Sequence, residues 1–193
     1  MSSISKLLEK SKIIAAVKDE KAARYASVSS CKVVFVLGCN ICSLPKIVNM
    51  LTRKNKIVFV HVDLVEGLGK DTWAVEFLNS EIKPHGIIST RHHLIKHAKQ
   101  LDMLAVQRMF LLDSSSIKSG IDMAERSSAD FIELMPGVIS KAISDIKKYV
   151  NQPIIAGGMV TKENEVKLAL KAGAMAVSTS TMPLWEMGVV NDK

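Results

Sequence analysis

Small and hydroxyl-bearing residues gather in two segments near the end of the chain, and this combination suits an anion. Ala156-Gly157-Gly158 and Ser178-Thr179-Ser180 each follow a short apolar run. Glycine lets the backbone approach a ligand closely, and backbone N–H groups in such loops bind phosphate oxygens. The alternative is a tight turn followed by a helix cap. We predict a phosphate site formed by Gly157, Gly158, Ser178, Thr179 and Ser180.

Charged side chains stand at the ends of other apolar runs. Lys18 and Arg108 are predicted to neutralise the phosphate, and His61, Asp63 and Glu133 to hydrogen-bond the hydroxyls of a small polyol. Each could instead be structural, since a carboxylate beside an arginine is often a buried ion pair. The sequence has no Ser-His-Asp set, metal-ligand cluster, Walker loop or dinucleotide-binding glycine pattern. We therefore predict neither a metal nor a cofactor.

Alternating apolar runs and helix-periodic segments indicate the elements that position these side chains. Val33-Val34-Phe35-Val36-Leu37 is apolar throughout, which is typical of a parallel strand covered on both faces. Apolar residues then recur at helical spacing, as in Trp73, Phe77 and Leu78. Eight strands are predicted in this way, at 12–17, 31–37, 56–62, 85–89, 103–109, 130–134, 153–156 and 175–178.

Eight strand-then-helix units predict the α/β class and a compact (β/α)8 TIM-like barrel. The carboxyl ends of all strands meet at one rim in that fold, so the residues named above would converge there. The chain has 193 residues, fewer than the ~250 typical of the fold. An open doubly wound sheet therefore remains the structural alternative.

Length and composition predict one domain over 1–193, with about 1–11 forming a flexible or helical N-terminal extension. The apolar stretch 13–17 is too short for a signal sequence or a membrane span. We expect a cytoplasmic protein without a membrane partner.

The formal charge of +7, from 26 basic and 19 acidic residues, suits an anionic partner. Arg91, Lys96 and Lys99 stand on one unusually basic segment that also holds three histidines. These residues are predicted to contact nucleic-acid phosphates, although a solvated helix face is an equally good interpretation. Aromatic residues make up only 5% of the chain, so no platform for base stacking is evident.

The sequence has three cysteines, and two of them have the Cys-x-x-Cys spacing of redox and metal sites, Cys39-Asn40-Ile41-Cys42. A thioredoxin-type site needs such a pair at a helix N-terminus in its own fold, and a zinc site needs four ligands. We therefore interpret Cys31, Cys39 and Cys42 as reduced, partly buried thiols.

These features support two classes of function equally well, because a phosphate site does not show whether its ligand is converted. One is a binding protein. The other is a sugar-phosphate isomerase, aldolase or lyase, with Asp63 or Glu133 as general base.

Ordered motifs distinguish the two classes. They are HVDLVEGL at 61–68, IKP at 82–84 with GIISTR at 86–91, QR and FLLDS within 107–114, DFIELMPG at 130–137, IIAGG at 154–158, and AGA, VSTS and LW within 172–185. In this series the chain resembles the glycerol-3-phosphate-responsive antiterminators of the glycerol uptake operon. The resemblance covers about residues 57 to 185.

The resemblance implies a barrel that binds glycerol 3-phosphate as its effector and then binds and stabilises leader mRNA of glycerol-metabolism genes. It implies no catalysis, and a homodimer is compatible with it. The first third departs from the family pattern, since Ala15-Ala16-Val17-Lys18 stands where the family has Pro-Ala-Ile/Val-Arg. Lysine keeps the charge but loses the planar, bidentate fork of arginine. His85 and His92-His93 are further departures.

Overall fold

A computed structural model of the chain describes Leu8 and residues 11–187. Eight parallel strands close into a barrel. The barrel strands are β1 (Ile13–Val17), β2 (Val33–Val36), β4 (Ile57–His61), β6 (Gly86–Ser89), β7 (Leu104–Phe110), β8 (Phe131–Met135), β9 (Ile154–Gly157) and β10 (Ala176–Thr179). Their order around the barrel is β1-β10-β9-β8-β7-β6-β4-β2.

The prediction of a TIM-like barrel is confirmed, and all eight predicted strands are present with ends shifted by one or two residues. The alternative of an open sheet is wrong, because β1 pairs with both β2 and β10. One pair of strands was not predicted. β3 (Cys39–Asn40) and β5 (Val65–Glu66) form a separate parallel pair beyond the ends of β2 and β4.

Seven α-helices connect the described strands. They are α1 (Glu20–Val28), α2 (Leu44–Thr52), α3 (Thr72–Phe77), α4 (His92–Gln100), α5 (Ser114–Arg126), α6 (Ser140–Lys147) and α7 (Glu163–Lys171). A π-helical turn, Leu78–Ile82, continues α3, and 3-10 turns lie at Val62–Leu64 and Met182–Glu186. None of the described helices has the length and apolar character needed to cross a membrane.

Local sequence signals explain where several of these helices begin and end. Asp113 accepts a hydrogen bond from the Ser116 N–H (2.8 Å) and so caps the start of α5. Asp19 and Asp71 cap α1 and α3 in the same way. Gly173 follows α7 at φ +105°, a conformation that glycine adopts without strain. These stops keep the connections short, which is how 193 residues close a full barrel.

Side chains alternate along each strand between the barrel interior and the layer beneath the helices. The interior cluster includes Ile14, Val33 and three phenylalanines, and Leu8 packs against it. Phe59 meets Phe35 and Phe131 edge-to-face, with ring centroids 5.5 and 6.5 Å apart. The predicted N-terminal extension, about 1–11, otherwise lies outside the described residues except for Ser11.

Trp185 fastens the end of the barrel to its beginning. The side chain is buried, its Nε1 donates to the Thr179 carbonyl oxygen (2.8 Å), and its ring packs on Tyr25 of α1. The Trp185 carbonyl oxygen accepts a hydrogen bond from the Ser30 hydroxyl (2.6 Å). The loop after β10 is thereby held beside the first unit, and this loop carries Ser180.

Gly86 makes room for the aromatic interior and provides a test of it. A Cβ at this position would lie 2.7 Å from Phe59 Cε1 and would also clash with the Leu104 carbonyl oxygen. Gly86→Ala should therefore lower the free energy of unfolding by about 1–3 kcal/mol through overpacking, measured by urea denaturation.

Gly120→Ala is the matched control, since a Cβ in that part of α5 would meet no atom closer than 3.6 Å. Alanine in a helix should raise stability there by about 0.4–1 kcal/mol. Equal urea midpoints for the two variants would contradict this account of the interior.

Candidate functional site

Four neighbouring strands change from apolar to polar at the same level of the barrel interior. One step of two residues stays on the interior face, and such a step leads from Val106 to Arg108 and from Phe131 to Glu133. The same step leads to Gly157 on β9 and to Ser178 on β10. Arg108 is in register with Glu133, and Gly157 with Ser178. The polar groups therefore form one layer above the aromatic interior.

Glu133 is the centre of this layer. Its Oε2 accepts a hydrogen bond from Arg108 Nε (2.6 Å), and its Oε1 accepts one from the Ser178 hydroxyl (2.6 Å). Position 157 does not tolerate a side chain, because a Cβ there would lie 2.5 Å from Glu133 Oε1 and 2.7 Å from Ser178 Oγ. Gly157 thus serves the site by leaving space.

Arg108 retains hydrogen-bonding capacity although it is only 5% exposed. Its Nε is bound to Glu133, whereas its Nη2 is buried and has no partner among the described residues. A buried donor without an acceptor is costly, and a charged one more so. The guanidinium is therefore suited to an anionic or polar ligand.

A cavity of about 340 Å³, here termed the mouth cavity, opens at this level on the carboxyl ends of the strands. The structure brings seven of the predicted site residues to its wall: Lys18, Arg108, Glu133, Gly158, Ser178, Thr179 and Ser180. Lys18 is exposed and forms no ion pair with a described residue. Two cations and a loop of small residues thus face one space.

The loops after β9 and β10 are tied to each other by Thr179. Its hydroxyl donates to the Val160 carbonyl oxygen (2.7 Å) and accepts from the Thr181 N–H (3.0 Å). Gly158 has φ +74°, and the Met159 that follows it has φ +63°. Glycine adopts a positive φ without the steric cost that a Cβ imposes. The backbone conformation at position 158 therefore explains the second glycine of the predicted Gly-Gly segment.

His61 and Asp63 do not line the mouth cavity. Asp63 accepts hydrogen bonds from the Ser89 hydroxyl (2.8 Å), the Thr90 N–H (3.1 Å) and Arg91 Nε (3.0 Å). Asp63 therefore fixes the loop after β6. The polyol role predicted for these two residues is not reflected in their positions, whereas Glu133 does reach the cavity.

His61 is buried and neutral at ordinary pH. Burial and the nearby Arg108 charge lower its pKa to about 4, although the Asp63 charge acts in the opposite direction. Its Nδ1 lies 3.6 Å from Asp63 Oδ2 and has no hydrogen-bond partner among the described residues. The ring therefore packs beneath the rim as an uncharged group.

The sequence matches a known protein family over most of its length. The family model of the glycerol-3-phosphate responsive antiterminators matches residues 13–185. The chain belongs to this family. The match includes β1 and therefore the first third, in which the sequence departs most from the family pattern.

Solved structures and a curated relative agree with this assignment. The glycerol uptake operon antiterminator regulatory protein of Listeria monocytogenes is 36% identical, with a TM-score of 0.87 over 91% of this chain and 95% of that one. A glycerol uptake operon antiterminator-related protein from Thermotoga maritima is 34% identical, with a TM-score of 0.81 over 91% of this chain and 98% of that one. The uncharacterized Escherichia coli protein YgcP is 34% identical over 94% of this chain and 95% of its own length.

The fold is also shared with enzymes. Deoxyribose phosphate aldolase from Aeropyrum pernix superposes with a TM-score of 0.70 at 14% identity, over 91% of this chain and 88% of that one. At such identity the likeness concerns the barrel alone.

In this antiterminator family member the three residues predicted to contact RNA have different surroundings. Lys99 donates to both Asp130 oxygens (2.9 Å each), so it is held in a partly buried ion pair. Arg91 pairs with Asp63 but remains half exposed. Lys96 is exposed and has no ion pair with a described residue. Lys96 and Arg91 are therefore the cations of this set that face solvent.

The cysteines of this family member are free thiols. Burial, together with the Glu66 charge, raises the pKa of Cys39 to about 11, which opposes thiolate formation. Cys42 is exposed, and Cys31 is buried with its pKa also raised to about 11 by burial. Within the described part of the chain, no group of three or more His, Cys, Asp or Glu side chains is placed to hold a metal ion.

Sequence reasoning missed the residues beside Arg108. Gln107 Nε2 donates to the Thr90 carbonyl oxygen (3.0 Å), and Thr90, Phe110 and Leu112 line a separate cavity. The signal available in the sequence is the placement of a phenylalanine at the end of a strand whose inward residue is charged.

Protonation of His61 should oppose folding at acid pH. Its pKa is about 4 in the folded protein and near the ordinary 6.5 in the unfolded chain, so the unfolded state binds more protons between these values. The free energy of unfolding should therefore be unaffected above about pH 6.5 and fall by at most about 1.4 kcal/mol per pH unit below it. His61→Gln should flatten this fall, measured by urea unfolding at a series of pH values.

His93→Gln is the control for that measurement, because His93 is exposed on α4. Its stability should follow the parent at every pH. Parallel curves for His61→Gln and the parent would show that another group causes the acid sensitivity.

Proposed function

We propose that the chain binds glycerol 3-phosphate in the mouth cavity without converting it, and that the bound form binds and stabilises leader mRNA of glycerol-metabolism genes. Transcription then continues past a terminator. This regulator would act in the cytoplasm, where leader mRNA is made. The observation that carries the proposal is the buried Nη2 of Arg108, which has no partner among the described residues, at the wall of a cavity that Lys18 also lines.

The dimensions and charges of the mouth cavity suit a small phosphorylated polyol. About 340 Å³ is at the lower end of the ~300–1,000 Å³ found for small-molecule sites. Lys18 and Arg108 provide positive charge, and the loops after β9 and β10 occupy the usual phosphate position of such barrels. Ser178 and Thr179 also lie on the wall.

Two features argue against turnover of the ligand. Both oxygens of Glu133 already accept hydrogen bonds within the protein, so this carboxylate is occupied as a structural acceptor rather than poised as a general base. None of the described strands contains a lysine that could form a Schiff base on the interior face. The aldolase alternative therefore has the fold in its favour, but among the described residues it has neither a strand lysine for a Schiff base nor a free Glu133 carboxylate.

Ligand binding should depend on Lys18 and on the open space at Gly158. Lys18→Gln should weaken binding of glycerol 3-phosphate by about tenfold or more, because a charge-assisted contact contributes about 1.5–3 kcal/mol. Gly158→Asp should weaken it further, since it adds a like charge beside the phosphate. Calorimetric titration measures both, and NMR of the ligand after long incubation shows whether it is converted.

Matched variants separate charge from strain. Lys32→Gln removes an exposed lysine at the amino end of β2 and should bind as the parent does. Gly158→Asn imposes the same backbone demand as Gly158→Asp without the charge, so it should bind more tightly than Gly158→Asp. If Gly158→Asp binds glycerol 3-phosphate as tightly as the parent, the ligand does not bind at this loop. If glycerol 3-phosphate is converted, the protein is an enzyme and the proposed regulatory function is wrong.

RNA binding should be electrostatic and dependent on the ligand. Affinity for a structured RNA should fall steeply with salt, and Lys96→Ala should reduce the slope by about one unit. Lys99→Ala should leave the slope unchanged, because Lys99 is held by Asp130. By linkage, glycerol 3-phosphate and RNA should tighten each other's binding by the same factor.

Filter binding at several salt concentrations, with and without glycerol 3-phosphate, measures these slopes. The RNA is a hairpin selected on the parent protein, in the presence of ligand, from a pool with a randomised loop. A parental affinity indifferent to both salt and ligand would contradict the regulatory mechanism.

A further inference from the structure

A second cavity adjoins the mouth cavity and is not explained by a small phosphorylated ligand. This flank groove, of about 420 Å³, lies between the end of β7 and α5, and its wall includes Thr90, Arg108, Phe110, Leu112 and Met123. It is larger than the mouth cavity, which already contains the predicted phosphate residues other than Gly157. A phosphate in the mouth cavity therefore leaves the flank groove free for a second occupant.

The flank groove presents apolar side chains to solvent. Phe110 is 51% exposed and Leu112 is 86% exposed, and Met123 on α5 is partly exposed beside them. Phe110 ends β7, so its ring lies beyond the last layer of the barrel interior. Exposed apolar groups that share a concave surface mark a binding site. A flat aromatic ring with polar neighbours such as Thr90 suits a planar ligand.

Exposed cations and carboxylates both border the outer side of the flank groove. An adjoining cavity shares Met123 with it and is also lined by His92, Asp122 and Arg126. His92 and Lys96 are one turn apart on α4, so they lie on one face of that helix. The cations on this side are Lys96 and Arg126, and the carboxylates are Asp122 and Asp113, of which Asp113 lines the flank groove and caps α5.

Arg108 belongs to both cavities. It lines the mouth cavity on one side and the flank groove on the other. Its single ion pair, with Glu133, leaves Nη2 without a partner among the described residues. An occupant of either cavity therefore meets the same guanidinium, which provides a direct physical link between the two sites.

We propose that the flank groove holds one unpaired RNA base, stacked on Phe110, with the adjoining phosphates beside Lys96 and Arg126. A base offers a planar face to an aromatic ring and is joined to anionic groups on both sides, which matches an apolar groove with an exposed aromatic ring and the cations Lys96 and Arg126 beside it. An apolar peptide segment would use Leu112 and Met123 but would leave Lys96 and Arg126 unused. The inference rests on the proposed function and adds to it the place where a base is bound.

Phe110→Ala tests this inference, with the selected hairpin as the RNA probe. Affinity in the presence of glycerol 3-phosphate should fall roughly 5- to 100-fold, the range expected for one lost base stack. Affinity for glycerol 3-phosphate without RNA should not change. Phe110→Trp, which keeps an aromatic face, should retain binding. Because Phe110 is half exposed, these variants should fold, and urea midpoints verify it.

Tyr149→Ala is the matched control. Tyr149 is an exposed aromatic residue, 61% accessible, that follows α6 at the opposite end of the barrel. Its loss should leave RNA affinity unaltered. In addition, 2-aminopurine placed at each loop position of the hairpin should lose fluorescence at one position with the parent, and not with Phe110→Ala.

The outcomes distinguish this inference from the proposed function. If the parent binds glycerol 3-phosphate but no hairpin is selected, the proposed function fails and the base site with it. If the parent binds RNA and Phe110→Ala binds equally well, the base site is wrong while the regulator stands, and the flank groove is left to a protein segment. If Phe110→Ala also weakens glycerol 3-phosphate binding in the absence of RNA, the flank groove is part of the ligand site and the inference is overturned.

Discussion

The ion pair between Arg108 and Glu133 is the interaction on which the rest of the site depends. Both side chains are almost fully buried in the barrel, and removing either partner of such a pair typically costs about 3–5 kcal/mol. The pair is tolerated because Ser178 satisfies the second carboxylate oxygen and Gly157 leaves space for that hydrogen bond. Neighbouring strands therefore place a layer of charged and polar groups inside a barrel whose interior is otherwise apolar.

The same pair directs the remaining capacity of Arg108 toward the rim. Glu133 accepts from Nε, whereas Nη2 has no partner among the described residues. Phe35, Phe59 and Phe131 fill the interior below and close that side to any ligand. A ligand can approach from the carboxyl ends of the strands, where Lys18 and the Gly158 loop stand. The position of the mouth cavity is thus a consequence of how two charges are buried.

Local sequence patterns were sufficient for the strands and for seven residues of the mouth cavity wall, since each depends on a short apolar run or on the residues just after it. Contacts between distant residues were not predictable. Asp63 was expected at the ligand but holds Ser89, Thr90 and Arg91, which are more than 25 positions away. Lys99 was interpreted as a surface cation, but it forms an ion pair with Asp130, which lies just before β8. Alternation shows which face a side chain occupies, but the partner it meets there is fixed by strand register.

Strand register also places one side chain between the two cavities. Arg108 on β7 borders both, and Gln107 beside it donates to the Thr90 carbonyl oxygen in the loop that Asp63 fixes. A phosphate bound at Nη2, as proposed, would hold the guanidinium in one orientation, and this side chain forms part of the wall of the flank groove. A second ligand would then meet a wall that is already ordered and would lose less conformational entropy on binding. Such coupling requires that the ligand favour one arrangement of Arg108 over the others, and the Nη2 donor, which has no partner among the described residues, is the group through which a phosphate can do so.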